Sequence, residues 1–413
     1  MVEQLNYDRR MSTTAKQAAS QTIRHHRETV IGVSHRIHAD PELGHEEYRA
    51  SALLAGELDR AGLAVKHGVC DLPTAFTAVA GSGDLHVALC AEYDALPGIG
   101  HACGHNMIAA TALAAGLALA PLADELQLTV TVIGTPAEEV LERGGKVLLL
   151  ERGAFDGVHA ALMIHPAPFE LATPAMIAAT KFEAEFTGKE SHASAAPELG
   201  INAADAAVIT QVAIGLLRQQ LPAQARVHGI FGAAGLAPNV IPAATRGTYL
   251  VRTPVFGDLA PLRDRVMNCF RAGALASGCE LRLAGGDKAY RDVVHDPGLV
   301  ALYRQNAERL GRDFSPDPAA ERFAASTDMG NVSALIPSIH PFTQVGAWPT
   351  ANHQPEFAAV CATGEADDVV IDAATALACT VIDLARDQAQ RQALIARASA
   401  LPPVSVRARE LAG

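Results

Sequence analysis

The sequence predicts an α/β protein: a mixed, mostly parallel sheet sandwiched by helices, with a small α+β domain inserted into it. Three observations carry this. Continuous apolar runs at residues 85–93 (LHVALCAEY), 128–134 (LTVTVIG) and 158–164 (VHAALMI) alternate with helical pattern, as strands covered on both faces do. Near residue 180 the pattern changes to an alternation of charged and apolar residues, KFEAEFTG at 181–188, typical of a half-exposed strand. The length of 413 residues exceeds the roughly 100–200 of one domain. An apolar fraction of 49% with 19% charged residues supplies large buried layers rather than disorder.

In chain order, residues 1–20 are polar and read as a loose tail. Residues 23–58 are helical in pattern, broken by a turn at Asp40-Pro41. A helix follows the first apolar strand from Asn106, and another follows the second near Lys146. From 181 the order is a strand (181–188), a helix (202–221), strands at 226–233 and 245–251, a helix (258–277) and a strand (280–284). This β-α-β-β-α-β order is the split-βαβ signature of a ferredoxin-like domain. The α/β pattern then resumes. The division is therefore 1–180 and 291–413 for the larger domain, with 181–290 inserted.

Composition excludes several classes of function. The net charge of 33 − 45 = −12 argues against nucleic-acid binding, which needs clustered Lys and Arg. Seven scattered cysteines (Cys70, Cys90, Cys103, Cys269, Cys279, Cys361, Cys379) argue against a disulfide framework and for a reducing compartment. The N-terminus lacks the apolar core of a signal peptide. No uncharged apolar run reaches the ~20 residues of a membrane span. The nearest, 107–123, contains Pro121 and stops at Asp124, and reads as a buried helix. The expected setting is cytoplasmic, with neither membrane nor nucleic acid as partner.

Four segments carry candidate chemistry. Gly100-His101-Ala102-Cys103-Gly104-His105-Asn106 follows the strand ending in Glu92-Tyr93-Asp94. Loops at such strand ends are where open α/β sheets bind ligands. Cys103 and His105 can both face one cation, with the thiolate stabilised by the metal and a helix N-terminus. The segment reads equally as a buried cysteine beside a glycine turn. Glu138 and Glu139 follow the second strand. Two adjacent carboxylates there are costly unless neutralised, so they are either metal ligand and base or a helix N-terminal pair favoured by the macrodipole. His165 ends the third strand, as a ligand or a satisfied core histidine. His353 lies in a polar loop far along the chain, and Trp348 near it is either pocket wall or packing. Together Cys103, His105, Glu139, His165 and His353 exceed the four donors of a tetrahedral zinc. A pair of divalent ions about 3.5–4 Å apart, sharing one ligand and a water, would use them all. Mixed S, N and O donors suit zinc best, with manganese, cobalt or nickel as alternatives. No G-x-S-x-G elbow is present.

The motifs HRIHADPELGHEE, AEYDALPGIGHACGHN, GTPAEE, GKESHASAAPELGINAADAA, PNVIP and ANHQPEF occur in that order from about His35 to Phe357. On these motifs the sequence resembles the zinc-dependent aminoacylases, carboxypeptidase G-type enzymes and aminobenzoyl-glutamate hydrolases, metallopeptidases of one fold. The branch most resembled includes aminobenzoyl-glutamate hydrolases and basic-residue dipeptidases. The resemblance implies a zinc aminopeptidase-like catalytic domain with a lid and dimerisation insert. It implies Cys103 as bridging ligand of two divalent metal ions, with His105, Glu139, His165 and His353 as the others and Glu138 as general base. Asp94 would orient a ligand, or simply end its strand. His192 would reach the partner's site in a homodimer and stabilise the oxyanion. Asn239 and Thr327 would contact substrate. Arg252, thirteen residues beyond Asn239, would clamp a substrate carboxylate, or stand as a solvated cation. Two departures, Asn106 for a common Asp and Glu92 where many relatives carry Asp, bear on substrate rather than mechanism. The expected reaction is hydrolysis of an amide bond in a small N-acyl amino acid or dipeptide. Metal-bound water is the nucleophile, and Glu138 accepts its proton and passes it to the leaving amine. Closure of the insert would exclude water. The alternative is a non-catalytic metal- or ligand-binding protein on the same fold.

Overall fold

A computed structural model describes residues 2–412. It divides into two compact units, Met1–Ala175 with Val293–Gly413, and Met176–Asp292. In chain order the strands of the described residues are β1 (Ala64–His67), β2 (Phe76–Ala80), β3 (Leu85–Ala91), β4 (Leu128–Gly134), β5 (Ala160–Leu162), β6 (His165–Ala167), β7 (Ala178–Thr187), β8 (Arg226–Ala234), β9 (Ala244–Thr253), β10 (Glu280–Tyr290), β11 (Ser338–Ile339) and β12 (Phe342–Gln344).

The larger unit is built on a six-stranded sheet of order β1-β2-β4-β3-β5-β11. β4, β3, β5 and β11 run parallel, and β2 and β1 add an antiparallel edge. The sheet is covered on both faces because its central strands are apolar at every step. Successive side chains of a strand point to opposite faces. Val87 and Leu89 enter one core with Val130 and Val132, under the helices His105–Leu119 and Gly364–Arg386. Ala88 and Cys90 enter the other with Ile133 and Ala161, under Gly145–Glu151 and Val404–Ala412. Every residue of His105–Leu119 is buried. With the turn that follows, the 18 residues His105–Leu122 are long and apolar enough to cross a membrane, and they are mostly buried inside the unit.

Two expectations need correction. Residues 2–20 are not a loose tail but belong to a helix, Val2–His25, and Met1 lies outside the described residues. Ala15, Ala19 and Ile23 are buried at four-residue spacing, so a narrow alanine seam faces the core. Lys16 ties it down with Nζ donating to Asp383 (2.5 Å) and Asn306 (3.0 Å). The apolar run 158–164 is not one strand. It breaks after Leu162, and β6 leaves the main sheet to pair in parallel with β12, Phe342 opposite His165. That break places His165 at the start of a separate two-stranded ribbon.

The second unit is an antiparallel sheet of order β10-β7-β9-β8 with the helices Ala203–Leu217 and Leu259–Ser277. β7 alternates as its sequence does: Ala178, Thr180, Phe182, Ala184 and Phe186 are buried, and Lys181, Glu183 and Glu185 are partly exposed. Phe182, Phe186, Tyr249 and Phe270 form the aromatic centre of its core. β10 runs six residues past 284, through an irregularity between Gly285 and Ala289.

Candidate active site

Three parallel strands deliver the candidate groups to one end of the sheet. β3 runs into Glu92-Tyr93-Asp94, β4 into residues 135–139, and β5 into His165. The fourth contribution is the loop 346–353, pinned by His353 N donating to Ala102 O (2.8 Å) and Asn352 Nδ2 donating to Pro166 O (3.1 Å). Close approach depends on glycine at one point. Gly104 has φ +80°, and a Cβ on it would lie 2.4 Å from Pro166 Cγ, so only glycine lets the helix bearing His105 sit against β6. The 135–139 loop also takes a left-handed residue, Ala137 at φ +57°. Its N–H donates to the buried Glu47 Oε1 at 2.7 Å.

The structure brings five predicted donors together as two groups that share one sulfur. Cys103, His105 and His165 form one, and Cys103, Glu139 and His353 the other; within each, the ligand atoms lie within 4.8 Å of one another. His105 Nδ1 donates to Asp94 Oδ1 (3.0 Å), which turns Nε2 into the group. His165 Nδ1 donates to Pro166 O (2.8 Å), leaving Nε2 3.5 Å from Cys103 Sγ. Asp94 Oδ2 also accepts the Glu139 amide (2.9 Å). His353 Nε2 stands 3.2 Å from Glu139 Oε1. Burial pushes the Cys103 thiol up, but His165, His353 and His105 outweigh it and hold it well below the ordinary thiol range. A thiolate, imidazole nitrogens fixed by hydrogen bonds on their far sides, and a carboxylate are what a pair of soft-to-borderline divalent cations requires. The residues therefore fit such a pair. Glu138 lies at the margin of both groups, with Oε2 4.0 Å from His105 Nε2. Burial holds its carboxyl well above the usual range, and Glu92, Glu139 and Asp328 add to this.

Behind Glu138 is a buried ion triad that sequence reasoning missed. Lys146 Nζ donates to Glu92 Oε1 (2.5 Å) and Asp328 Oδ1 (2.6 Å), and Lys146 N donates to Asp328 Oδ2 (2.9 Å). All three side chains are fully buried. Burial lowers the Lys146 pKa, but Asp328, Glu92 and Glu138 more than offset this and keep it charged. Glu92 Oε2 stands 3.5 Å from His105 Nε2. Glu92, Glu138 and Asp328 could by spacing hold an ion, yet the ammonium already joins two of them. A signal existed: Lys146 is the only charge in the apolar stretch GGKVLLL. Asn106 is also explained. Its Nδ2 donates to Ser34 Oγ and Cys361 O, both at 2.9 Å, which an ionised Asp, lacking a donor, could not do.

The remaining predicted residues are placed as follows. Thr327 is buried beside Asp328, its Oγ1 accepting the Met329 amide (3.2 Å). In the second unit, His192 and Asn239 are neighbours through backbone pairing, with Ala193 N donating to Asn239 O (3.0 Å) and a bridge from His192 to Val240. The exposed His192 ring accepts the Ala195 amide at Nδ1 (3.2 Å). Arg252 lies on β9, with Nε donating to His228 Nε2 (3.3 Å).

The fold and the donor set have the form of a metallohydrolase, and comparison with known proteins gives the family. Residues 88–379 match peptidase family M20/M25/M40. The Xaa-Arg dipeptidase of Mus musculus is 38% identical over 389 residues, covering 89% of this chain and 88% of that protein. A p-aminobenzoyl-glutamate hydrolase polypeptide of Escherichia coli is 27% identical, covering 87% and 90%. Among solved structures, an aminobenzoyl-glutamate utilization protein from Klebsiella pneumoniae superposes with a TM-score of 0.68 at 19% identity, covering 89% and 98%. A dinuclear metal-binding M20 peptidase from Bacillus subtilis gives 0.65 at 22%, covering 87% and 99%. These structural likenesses show the fold. The chain belongs to peptidase family M20/M25/M40 and is a hydrolase rather than a non-catalytic binding protein.

Proposed function

We propose that this enzyme hydrolyses the amide bond of a dipeptide or small N-acyl amino acid at a two-cation centre, with zinc as the native metal. The observation that carries the reading is one sulfur, Cys103, shared by two donor groups with Glu138 beside both. Cys103, His105, His165, Glu139 and His353 would hold the cations, which when bound supply a water acidified toward neutrality. Glu138 accepts the proton of that water as its oxygen bonds to the carbonyl carbon. It then delivers the proton to the nitrogen as the C–N bond breaks. Asp94 orients His105, and His192, Asn239, Thr327 and Arg252 are assigned to oxyanion, substrate and carboxylate contacts.

Likeness to Xaa-Arg dipeptidases makes dipeptides with a basic C-terminal residue the first substrates to assay. A homodimer is part of the proposal. Val208, Val212 and Leu216 leave an exposed apolar stripe on the helix Ala203–Leu217, and β8 is a sheet edge that bears the exposed Ile230. Seven unpaired cysteines support a cytoplasmic setting. The test is a liquid-chromatography assay of the zinc- or manganese-loaded enzyme on dipeptides and N-acyl amino acids. Turnover should vanish on chelation and return with metal. A fully loaded protein that cleaves neither class would end the proposal.

A further inference from the structure

Two loops far apart in sequence meet at the residue before Glu138, and each carries a non-glycine residue in left-handed backbone. His45, at φ +68°, lies in the loop that leads into the helix Tyr48–Arg60, and Ala137, at φ +57°, lies in the loop that carries Glu138 and Glu139. A Cβ disfavours this region, so something must hold each residue there. One oxygen serves both. Oε1 of Glu47, a fully buried residue, accepts the His45 amide (3.0 Å) and the Ala137 amide (2.7 Å). The two loops are also pressed together. A Cβ on Gly44 would lie 2.5 Å from Val140 Cγ2 and 3.1 Å from the Ala137 Cα, and His45 Nε2 donates to Arg143 O (2.9 Å). Glu47 is itself fixed, since its carbonyl accepts the Ser51 amide (3.0 Å) as its helix begins. At the other end of the loop Glu42 accepts the Ala95 amide on its carbonyl (2.8 Å) and the Arg49 and Ala50 amides on its carboxylate (both 2.9 Å).

The amide on the other side of Glu138 is held in the same way. Glu139 N donates to Asp94 Oδ2 (2.9 Å). Glu138 therefore stands between two peptide groups, each bound to a buried carboxylate from outside its own loop. Rotation about the N–Cα bond of Ala137 is a coordinate that carries Glu138 toward or away from the donor groups. The bond to Glu47 fixes the Ala137 amide, and with it the left-handed setting from which the chain enters Glu138. A general base acts at hydrogen-bond range, and a displacement of about 1 Å is enough to cost about 100-fold in rate. A carboxylate that only joined two loops for stability would affect every property of the site alike, and the two roles can be told apart.

We propose that Glu47 is a positioning residue for the general base: by holding the Ala137 amide it fixes Glu138 in place, as the counterpart of Asp94 on the other side. This rests on the hydrolase reading above and deepens it. The experiment measures kcat, KM and metal content of the metal-loaded wild-type, Glu47→Ala, Glu47→Gln and Gly44→Ala enzymes on the dipeptide or N-acyl amino acid that the wild type cleaves. It repeats Glu47→Ala in the Glu138→Gln background. Deuterium uptake of residues 135–140, read by mass spectrometry, follows the loop without need of turnover. Glu47→Ala should lower kcat about 10–100-fold, leave KM and two metals per chain unchanged, and raise the uptake. Glu47→Gln keeps an oxygen acceptor, so it should keep most of the turnover and the low uptake. In the Glu138→Gln background Glu47→Ala should cost little further, because residues that act as one unit do not add. Gly44→Ala, which pushes on Val140 and Ala137 without unpairing a buried group, should lower kcat with KM unchanged. An equal loss in both backgrounds, loss of a metal from Glu47→Ala, or a Glu47→Gln enzyme as impaired as Glu47→Ala would each overturn the proposal. Where Glu47→Ala does not fold, a Gly44→Ala enzyme with normal kcat overturns it. A wild-type enzyme that cleaves neither class of substrate would count against the hydrolase reading. The deuterium uptake still decides Glu47 in that case, and uptake unchanged in Glu47→Ala sinks its role.

Discussion

The two donor groups that meet at Cys103 are built to different standards. On one side His105 and His165 are buried, one at the start of a long core helix and the other at the start of a strand. Each has its far nitrogen fixed, by Asp94 and by the Pro166 carbonyl. On the other side Glu139 and His353 come from loops, their side chains 16% and 54% exposed, and His353 sits in left-handed backbone at φ +68°. Donors carried by regular elements hold their geometry better than donors carried by loops, which open at lower cost. The inner cation should therefore be the slower to leave and the outer the first to exchange.

The largest effect expected is on a residue that belongs to neither half. Glu138→Gln should lower turnover by about 10²–10⁴-fold, the loss of a general base. Elemental analysis should still find two metals per chain. A variant that turned over normally, or that lost one metal, would move Glu138 out of the base role and into a donor group.

Next in size is Lys146→Met, which leaves Glu92 and Asp328 buried without their cation behind the inner half. Breaking a buried ion pair costs about 3–5 kcal/mol. Denaturant unfolding should show that loss, and the joint variant Glu92→Gln, Lys146→Met, Asp328→Asn should recover much of it. Unchanged stability in the single variant would mean the triad is not what supports this side of the centre.

The difference between the halves also explains what could be read in advance. Cys103, His105, Glu139 and His165 each follow an apolar strand closely enough that strand ends alone bring them together. The alternating strands of 181–284 announce their own sheet for the same reason, since period-2 patterning is local. The Lys146 triad joins residues 54 and 182 positions apart, and no local pattern encodes which buried charge will meet which. The first helix was missed because its buried seam is mostly alanine, which polarity patterns hardly register. Glu47 escaped because its partner, the Ala137 amide, is backbone, and backbone leaves no mark in the sequence.

Glu47 gives the next effect, on the loop that leads to the outer half. Burial, with Asp94 second, raises its carboxyl from 4.5 to about 7. The folded chain thus keeps a proton that the unfolded chain releases between these values. Stability from this residue is complete below pH 4.5, is lost as pH rises to about 7, and is level above. Glu47→Gln cannot lose that proton, so the variant should gain on the wild type by about 2–4 kcal/mol between pH 4.5 and 8. Guanidinium unfolding of both metal-free proteins at pH 4.5 and 8 checks this. A difference that did not change with pH would show that folding leaves the Glu47 pKa where it is in the unfolded chain.

The smallest effect tests the comparison most directly. Behind the shared Cys103, Asp94 also serves both halves: Oδ1 accepts from His105 Nδ1 and Oδ2 from the Glu139 amide. Asp94→Asn keeps the shape but offers one acceptor and one donor where two donors converge. Either the His105 ring or the Glu139 backbone then faces an N–H and must shift. Loss of such a supporting carboxylate typically weakens metal binding 10–100-fold. A chelator competition that resolves the two cations reports which half loosened. If both weaken together, the halves act as one unit and the contrast between buried and loop-borne donors has no energetic meaning. If one weakens alone, that half is the one whose geometry Asp94 sets. If neither moves, Asp94 is an ordinary end to its strand, and the fixed inner half must owe its rigidity to burial alone.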